Sequence, residues 1–225
     1  MNGKFWITGL VPATFTPMHE DGSLNLGQVG PIVDRLVAQG VSALFACGST
    51  GESTALTTEE RKATLTAYLT AAAGRLPVIA HVGHTSLTDA RDLASHAQAN
   101  GAVAIAALPP FYVKPGSVAV LVDCMAQIAA AAPELPFYYY HIPGLTGVHL
   151  DMVDFLRQGA ARIPTLAGIK YSSPTLYEFQ ACLAFAGGRY NMLFGSDEML
   201  LSGLAAGAQA QSAAPTTLPR HSIRR

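Results

Sequence analysis

Lys170 is the residue whose position most directly suggests chemistry. The chain has four lysines, Lys4, Lys62, Lys114 and Lys170, and only the last closes an apolar run, Leu166-Ala167-Gly168-Ile169-Lys170. An ammonium at the end of a buried strand is costly unless paired, and burial pushes it toward the neutral amine. A neutral amine facing a cavity attacks a carbonyl carbon and forms a Schiff base. The ordinary alternative is a lysine whose stem lies along the strand while its head reaches water. Phe137-Tyr138-Tyr139-Tyr140 also has the aromatic character of a strand, stopped three residues later by Pro143. Strand alternation puts Tyr138 and Tyr140 on one face and Tyr139 on the other. A buried phenol needs a polar partner, and Tyr140 near a Schiff-base lysine would be a proton shuttle; simple core packing is the alternative. Gly48-Ser49-Thr50-Gly51-Glu52 offers two hydroxyls and backbone N–H groups that can hold a carboxylate or a phosphate. It lacks the lysine and spacing of a P-loop, and an ordinary turn would read the same way. His81 and His84 stand three apart with no matched carboxylate, so no metal site is expected, and His141 reads as a wall or loop residue.

These residues sit at the ends of a repeated pattern. Strand-like runs at Gly9–Thr14, Ala43–Cys47, Val78–Val82, Val103–Leu108, Pro136–Tyr140, Leu166–Tyr171 and Asn191–Phe194 alternate with helical spacing. The helical stretches are Leu26–Gln39, Thr58–Ala73, Leu87–Ala99, Val118–Ala132, Met152–Gln158 and Thr175–Ala186. Thr57-Thr58-Glu59-Glu60 is a capping box, Ser86-Leu87-Thr88-Asp89 a weaker version of it, and Gly40, Gly74 and Gly101 mark helix ends. Strand then helix, repeated, implies a parallel sheet with crossover helices. Polar or special residues follow many of the strands, which favours a (β/α)8 TIM barrel over an open sheet with its single switch point. Only seven strands are readable.

The bulk composition excludes several classes. The chain of 225 residues is 50% hydrophobic and 13% charged, with a formal net charge of -1, so it should bury a substantial core and offers no basic surface for nucleic acid or an anionic membrane. Cys47, Cys124 and Cys182 are odd in number and widely spaced, which suits a reducing cytoplasm rather than a disulfide framework. No apolar run reaches the roughly 18 residues of a membrane span, and MNGKFWITGL lacks the apolar core of a signal peptide.

Taken together, GSTGE at Gly48–Glu52, YHIP at Tyr140–Pro143 and GIKYS at Gly168–Ser172 resemble the pyruvate-dependent class I aldolases of the dihydrodipicolinate synthase and N-acetylneuraminate lyase family. The resemblance runs from about Gly9 to about Ala208. It implies that Lys170 forms the imine with the substrate's 2-oxo carbon, that Ser49 and Thr50 hold the adjacent carboxylate, and that Tyr140 relays a proton. Ser172 is carried over with the lysine motif as a substrate-binding residue. Where the synthases usually bring an arginine for a second carboxylate, this chain reads Gly144-Leu145-Thr146-Gly147, which disfavours a dicarboxylic partner. Gly195-Ser196-Asp197-Glu198 resembles the G-x-D-E stretch of the lyases, where Gly195, Asp197 and Glu198 would meet sugar hydroxyls; helix N-terminal charge is the alternative. The resemblance therefore implies reversible cleavage of N-acetylneuraminate to pyruvate and N-acetylmannosamine, with no metal or organic cofactor, in a homotetramer. Rival readings are a 2-keto-3-deoxy sugar acid aldolase, a dihydrodipicolinate synthase-like enzyme, and a non-catalytic remnant that binds 2-oxo acids or pairs with intact subunits.

The resemblance stops near Ala208. The family's eighth strand reads like G-A-V-G-S-T-Y-N, whereas residues 209–225 here show neither strand nor helix periodicity and read as disordered. Those residues can be back-translated so that the neighbouring frame spells Ala-Val-Gly-Ser-Thr-Tyr-Asn. The expectation is a single-base frameshift after about Gln209, a barrel domain over residues 1–208, and a barrel lacking its eighth strand and later helices.

Overall fold

A computed structural model describes residues 5–212. Its eight parallel strands are β1 (Gly9–Leu10), β2 (Leu44–Ala46), β3 (Val78–His81), β4 (Ala104–Ala107), β5 (Phe137–His141), β6 (Leu166–Tyr171), β7 (Asn191–Phe194) and β8 (Ala210–Gln211). They are ordered β1-β8-β7-β6-β5-β4-β3-β2. The remaining seam, between β1 and β2, is bridged by Ser42 N donating to Leu10 O (2.8 Å), Phe45 N to Pro12 O (2.9 Å) and Thr14 N to Phe45 O (3.0 Å). The strands thus close on themselves as a TIM-type barrel, with the helices outside.

The helices are α1 (Val29–Ala38), α2 (Thr58–Ala72), α3 (Leu87–Ala99), α4 (Val118–Ala129), α5 (Pro143–Thr146), α6 (Met152–Arg162), α7 (Leu176–Ala184) and α8 (Leu200–Ala205). Their starts follow the expected chemistry. Thr57 Oγ1 accepts from Glu60 N (3.2 Å) while Glu60 Oε2 accepts from Thr57 N (2.8 Å), and Ser86 accepts from Asp89 N. Gly40, Gly74 and Gly101 end helices with positive φ. Helices α1, α3, α4 and α6 turn an apolar stripe inward, as Val29, Val33 and Leu36 do in α1. Alternation along the strands then makes two cores. One lies between barrel and helices and holds Tyr139, Ile169, Phe155 and Phe179. The other fills the lumen with Ile7, Val11, Phe45, Ile79, Tyr138, Tyr140 and Leu193. The expected split of the tyrosines is therefore observed.

Three features differ from the sequence reading. β1 is only two residues long, because Val11–Thr14 bonds to β2 without a regular ladder. Pro143–Thr146 is helical, with proline at the first helical position, where its missing N–H is harmless. The expectation of a barrel without an eighth strand is corrected. Ala210 and Gln211 pair with Gly9 and Leu10 on one side and with Leu193 and Phe194 on the other. Gly9 N donates to Gln209 O (2.8 Å), Val11 N to Gln211 O (2.8 Å) and Ser212 N to Phe194 O (2.7 Å). Parallel pairing uses backbone groups that every non-proline residue carries, and small side chains fit between two neighbours, so neither β-branched residues nor alternation is needed. Most of the expected tail, residues 213–225, lies outside the described residues.

Candidate active site

Parallel pairing of β5 with β6 sets Tyr140 opposite Lys170. Both side chains point into the lumen near the C-terminal ends of their strands. Lys170 is 2% exposed, so its head does not reach solvent. Its Nζ lies 3.8 Å from the centroid of the Phe45 ring and 4.4 Å from that of Tyr140. Burial lowers its pKa from 10.5 to about 7, against an opposing pull from the Asp197 carboxylate. Rings face the amine where a carboxylate would have kept it charged.

Tyr140 is also buried, and its hydroxyl lies 3.4 Å from Ser49 Oγ. Burial raises its pKa, and the hydroxyls of Ser49 and Ser172 partly offset the rise. Its ring stands edge-on to Phe45 and to His81, each with centroids 5.7 Å away. The phenol on the same face one repeat below, Tyr138, donates to Asn191 Oδ1 (2.8 Å), which also accepts from Ile7 N. The polar partners expected for these two phenols are thus Ser49 and Asn191. Tyr139, on the other face, packs on Phe155 with centroids 4.6 Å apart, and its hydroxyl has no hydrogen-bond partner among the described residues.

Ser49 and Thr50 lie half-buried in the turn after β2, entered through Cys47, whose φ is 59°. Inside the turn, Gly51 N and Ser53 N donate to Gly48 O, and Glu52 N donates to Ser49 O. Ser172 and Gly195 follow β6 and β7 side by side: Ser172 N donates to His141 O, and Gly195 N to Tyr171 O. A Cβ at position 195 would fall 2.0 Å from Ser172 Oγ, so only glycine leaves that hydroxyl its place. Asp197 is half-buried and accepts from Gln211 Nε2 (2.6 Å), whereas Glu198 is exposed. The fold therefore gathers Lys170, Tyr140, Ser49, Ser172, Gly195 and Asp197 at one mouth, with Thr50 in the same turn as Ser49 and Glu198 on the outer rim.

Outward-facing residues brace Tyr140 and Lys170 from behind. His141 pairs with Tyr171 immediately beyond Tyr140 and Lys170. Tyr171 donates to Glu178 Oε2 (2.6 Å), and Glu178 Oε1 accepts the N–H of Met152 at the start of α6. Burial, reinforced by His149, holds His141 at about 4, so it is neutral at pH 7.

Sequence reasoning overlooked Phe45, Arg61 and Gln211. Phe45 had a usable signal, since alternation along Ala43–Cys47 places residues 43 and 45 inward. Arg61 had none: it sits in the charged run Glu59-Glu60-Arg61-Lys62 yet is 1% exposed. Among the described residues no group of three or more His, Cys, Asp or Glu could hold a metal ion, and no helix is long and apolar enough to cross a membrane.

Residues 6–223 match the dihydrodipicolinate synthetase family. The chain is 43% identical over 205 residues to the N-acetylneuraminate lyase of Pongo abelii, covering 90% of this chain and 64% of that protein. The N-acetylneuraminate lyase of Proteus mirabilis superposes with a TM-score of 0.91 at 38% identity, over 93% of this chain and 71% of the other. That of Aliivibrio salmonicida, also titled a sialic acid aldolase, gives 0.91 at 40% identity over 93% and 70%. The chain thus spans less than two thirds of the length of the Pongo abelii relative.

Proposed function

The chain belongs to the dihydrodipicolinate synthetase family, and from that premise we propose that it is a Schiff-base lyase cleaving N-acetylneuraminate reversibly to pyruvate and N-acetylmannosamine. The observation that carries this reading is the Lys170 amine, buried against Phe45 and Tyr140 and held near neutrality. The neutral amine adds to the 2-oxo carbon of the open-chain sugar acid, and loss of water gives the imine. Ser49 and Thr50 hold the neighbouring carboxylate. Tyr140, linked to Ser49, relays the proton: its phenol gives its own proton to the carboxylate held there as it takes that of the C4 hydroxyl. The C3–C4 bond breaks, and its electron pair passes into the protonated imine to give the enamine. N-acetylmannosamine leaves as the aldehyde. Protonation of the enamine at C3 and hydrolysis then release pyruvate and free Lys170.

Asp197, Ser172 and Gly195 line the side of the mouth where the sugar chain would lie, and Asp197 offers a hydrogen-bond acceptor to its hydroxyls. Glu198, on the rim, would meet the far end. No organic cofactor or metal is required, and the assembly is proposed to be a homotetramer. Incubation with pyruvate and borohydride, followed by peptide mapping, is expected to place a pyruvyl adduct on Lys170 and nowhere else. Lys170→Ala is expected to lose both the adduct and the cleavage of N-acetylneuraminate. Cleavage at the original rate in that variant would end the proposal.

A further inference from the structure

The guanidinium of Arg61 is buried in the first turn of α2 and bonds to backbone carbonyls instead of carboxylates: Nη1 donates to Gly83 O (2.9 Å) and Nη2 to His81 O (2.8 Å). His81 ends β3 with its ring in the lumen, and its Nδ1 lies 2.8 Å from Cys47 O. A carbonyl only accepts, so Nδ1 carries the proton and Nε2 keeps its lone pair, for which no partner is found among the described residues. Arg61 Nη2 lies 3.4 Å from the same Nδ1. Burial, then this neighbouring cation, keeps the imidazole neutral. Cys47 Sγ closes the circuit by donating to Arg61 O at 3.6 Å. The end of β2, the end of β3 and the start of α2 are therefore joined in a ring of three residues.

What that ring holds is Cys47 itself, in a left-handed conformation that non-glycine residues keep only where their surroundings over-determine it. Cys47 directs the chain into Gly48–Glu52, the turn that carries Ser49 and Thr50. The His81 ring is also a surface on which Tyr140 rests edge-on. We propose that Arg61 and His81 are positioning residues which, by clamping left-handed Cys47, fix both the carboxylate-holding turn and the Tyr140 ring relative to Lys170. The proposal rests on the lyase reading for its catalytic meaning, and on this geometry for the clamp.

Hydrogen exchange of the full chain, read by mass spectrometry, tests the clamp, with pyruvate trapping run on the same samples. His81→Phe keeps a ring against Tyr140 and removes the donor to Cys47; His81→Gln returns an amide donor. In His81→Phe, exchange over Gly48–Ser53 is expected to accelerate about tenfold, and the pyruvate concentration that half-saturates the adduct to rise about tenfold, with maximal labelling still on Lys170. His81→Gln is expected to move both values back toward the unmodified protein. Unchanged exchange over Gly48–Ser53 in His81→Phe overturns the clamp. Equal acceleration in both variants shows that the donor to Cys47 is not what holds the turn, and overturns it too. Should His81→Phe fail to fold, Arg61→Lys keeps the charge without bridging two carbonyls: local acceleration supports the clamp and unchanged exchange overturns it. An unmodified chain that forms no adduct, while its exchange still responds to His81→Phe, supports the clamp and removes the lyase reading.

Discussion

Burial holds the Lys170 amine at about 7, while an unfolded chain returns it to 10.5. Two consequences follow in opposite directions. Imine formation needs the free base, so the rate of borohydride-trapped adduct formation at low pyruvate is expected to rise as pH passes through about 7 and to level off above it. For stability the sign is the reverse of a paired lysine. Between pH 7 and 10.5 the unfolded chain binds more protons, so the stability penalty is full below 7 and fades as pH approaches 10.5. Lys170→Met should therefore raise the melting temperature at pH 7, by up to ~5 kcal/mol of unfolding free energy, with the gain shrinking toward pH 10. A melting temperature unchanged at both pH values would show that the folded protein keeps its lysine charged and solvated. The same residue was readable from its place at the end of an apolar strand. Its sandwich between Phe45 and Tyr140 was not, because that depends on which strands face one another across a closed lumen.

At the scale of elements, local chemistry predicted local structure well. The Thr57–Glu60 capping box, the Ser86 cap and the glycine helix ends all lie where the residue types put them. Thr57→Ala is expected to cost about 1 kcal/mol in unfolding free energy, measured by denaturant titration, and to leave pyruvate half-saturation unchanged. A change in pyruvate affinity instead would mean that the Thr57 cap, and not only Arg61, bears on the site. Gly168 shows a signal of another kind. A Cβ there would lie 1.7 Å from Asn191 O, so this glycine lets β6 approach β7 closely, and its motif has a packing reason as well as a chemical one. Elements whose cause is not local stayed hidden. Arg61 looks solvated in its charged run, and its burial comes from carbonyls left open at the end of β3. The helix at Pro143–Thr146 was masked by a proline that reads as a break but serves as a start.

For the whole molecule, closure of the barrel rests on β8, which was invisible in sequence because its two residues contribute mainly backbone bonds. Ser212→Pro removes the N–H that bonds Phe194 O and is expected to cost about 3 kcal/mol, with loss of pyruvate trapping as the mouth beside Asp197 opens. Full trapping in that variant, at unchanged melting temperature, would show that the last strand is dispensable for the site. The site as a whole spans β2, β5, β6 and the turn after β7, so no single segment contains it. Its legibility came from three short motifs in a consistent order, and its geometry from the register that the closed barrel imposes.

The seam at β8 also sets an order of events in time. Trp6 and Gln209 touch although they stand 203 positions apart in the chain, and Gly9 meets Ala210 in the same ladder. Contacts so distant in sequence form late, because closing a very large loop costs entropy before any bond rewards it. On a ribosome, β1 emerges first and must wait for nearly the whole described chain before its second neighbour exists. During that interval it presents an unpaired edge, and the nascent chain is open to pairing with other chains. A chaperone that shelters this edge would therefore raise the yield of folded protein without altering the final structure.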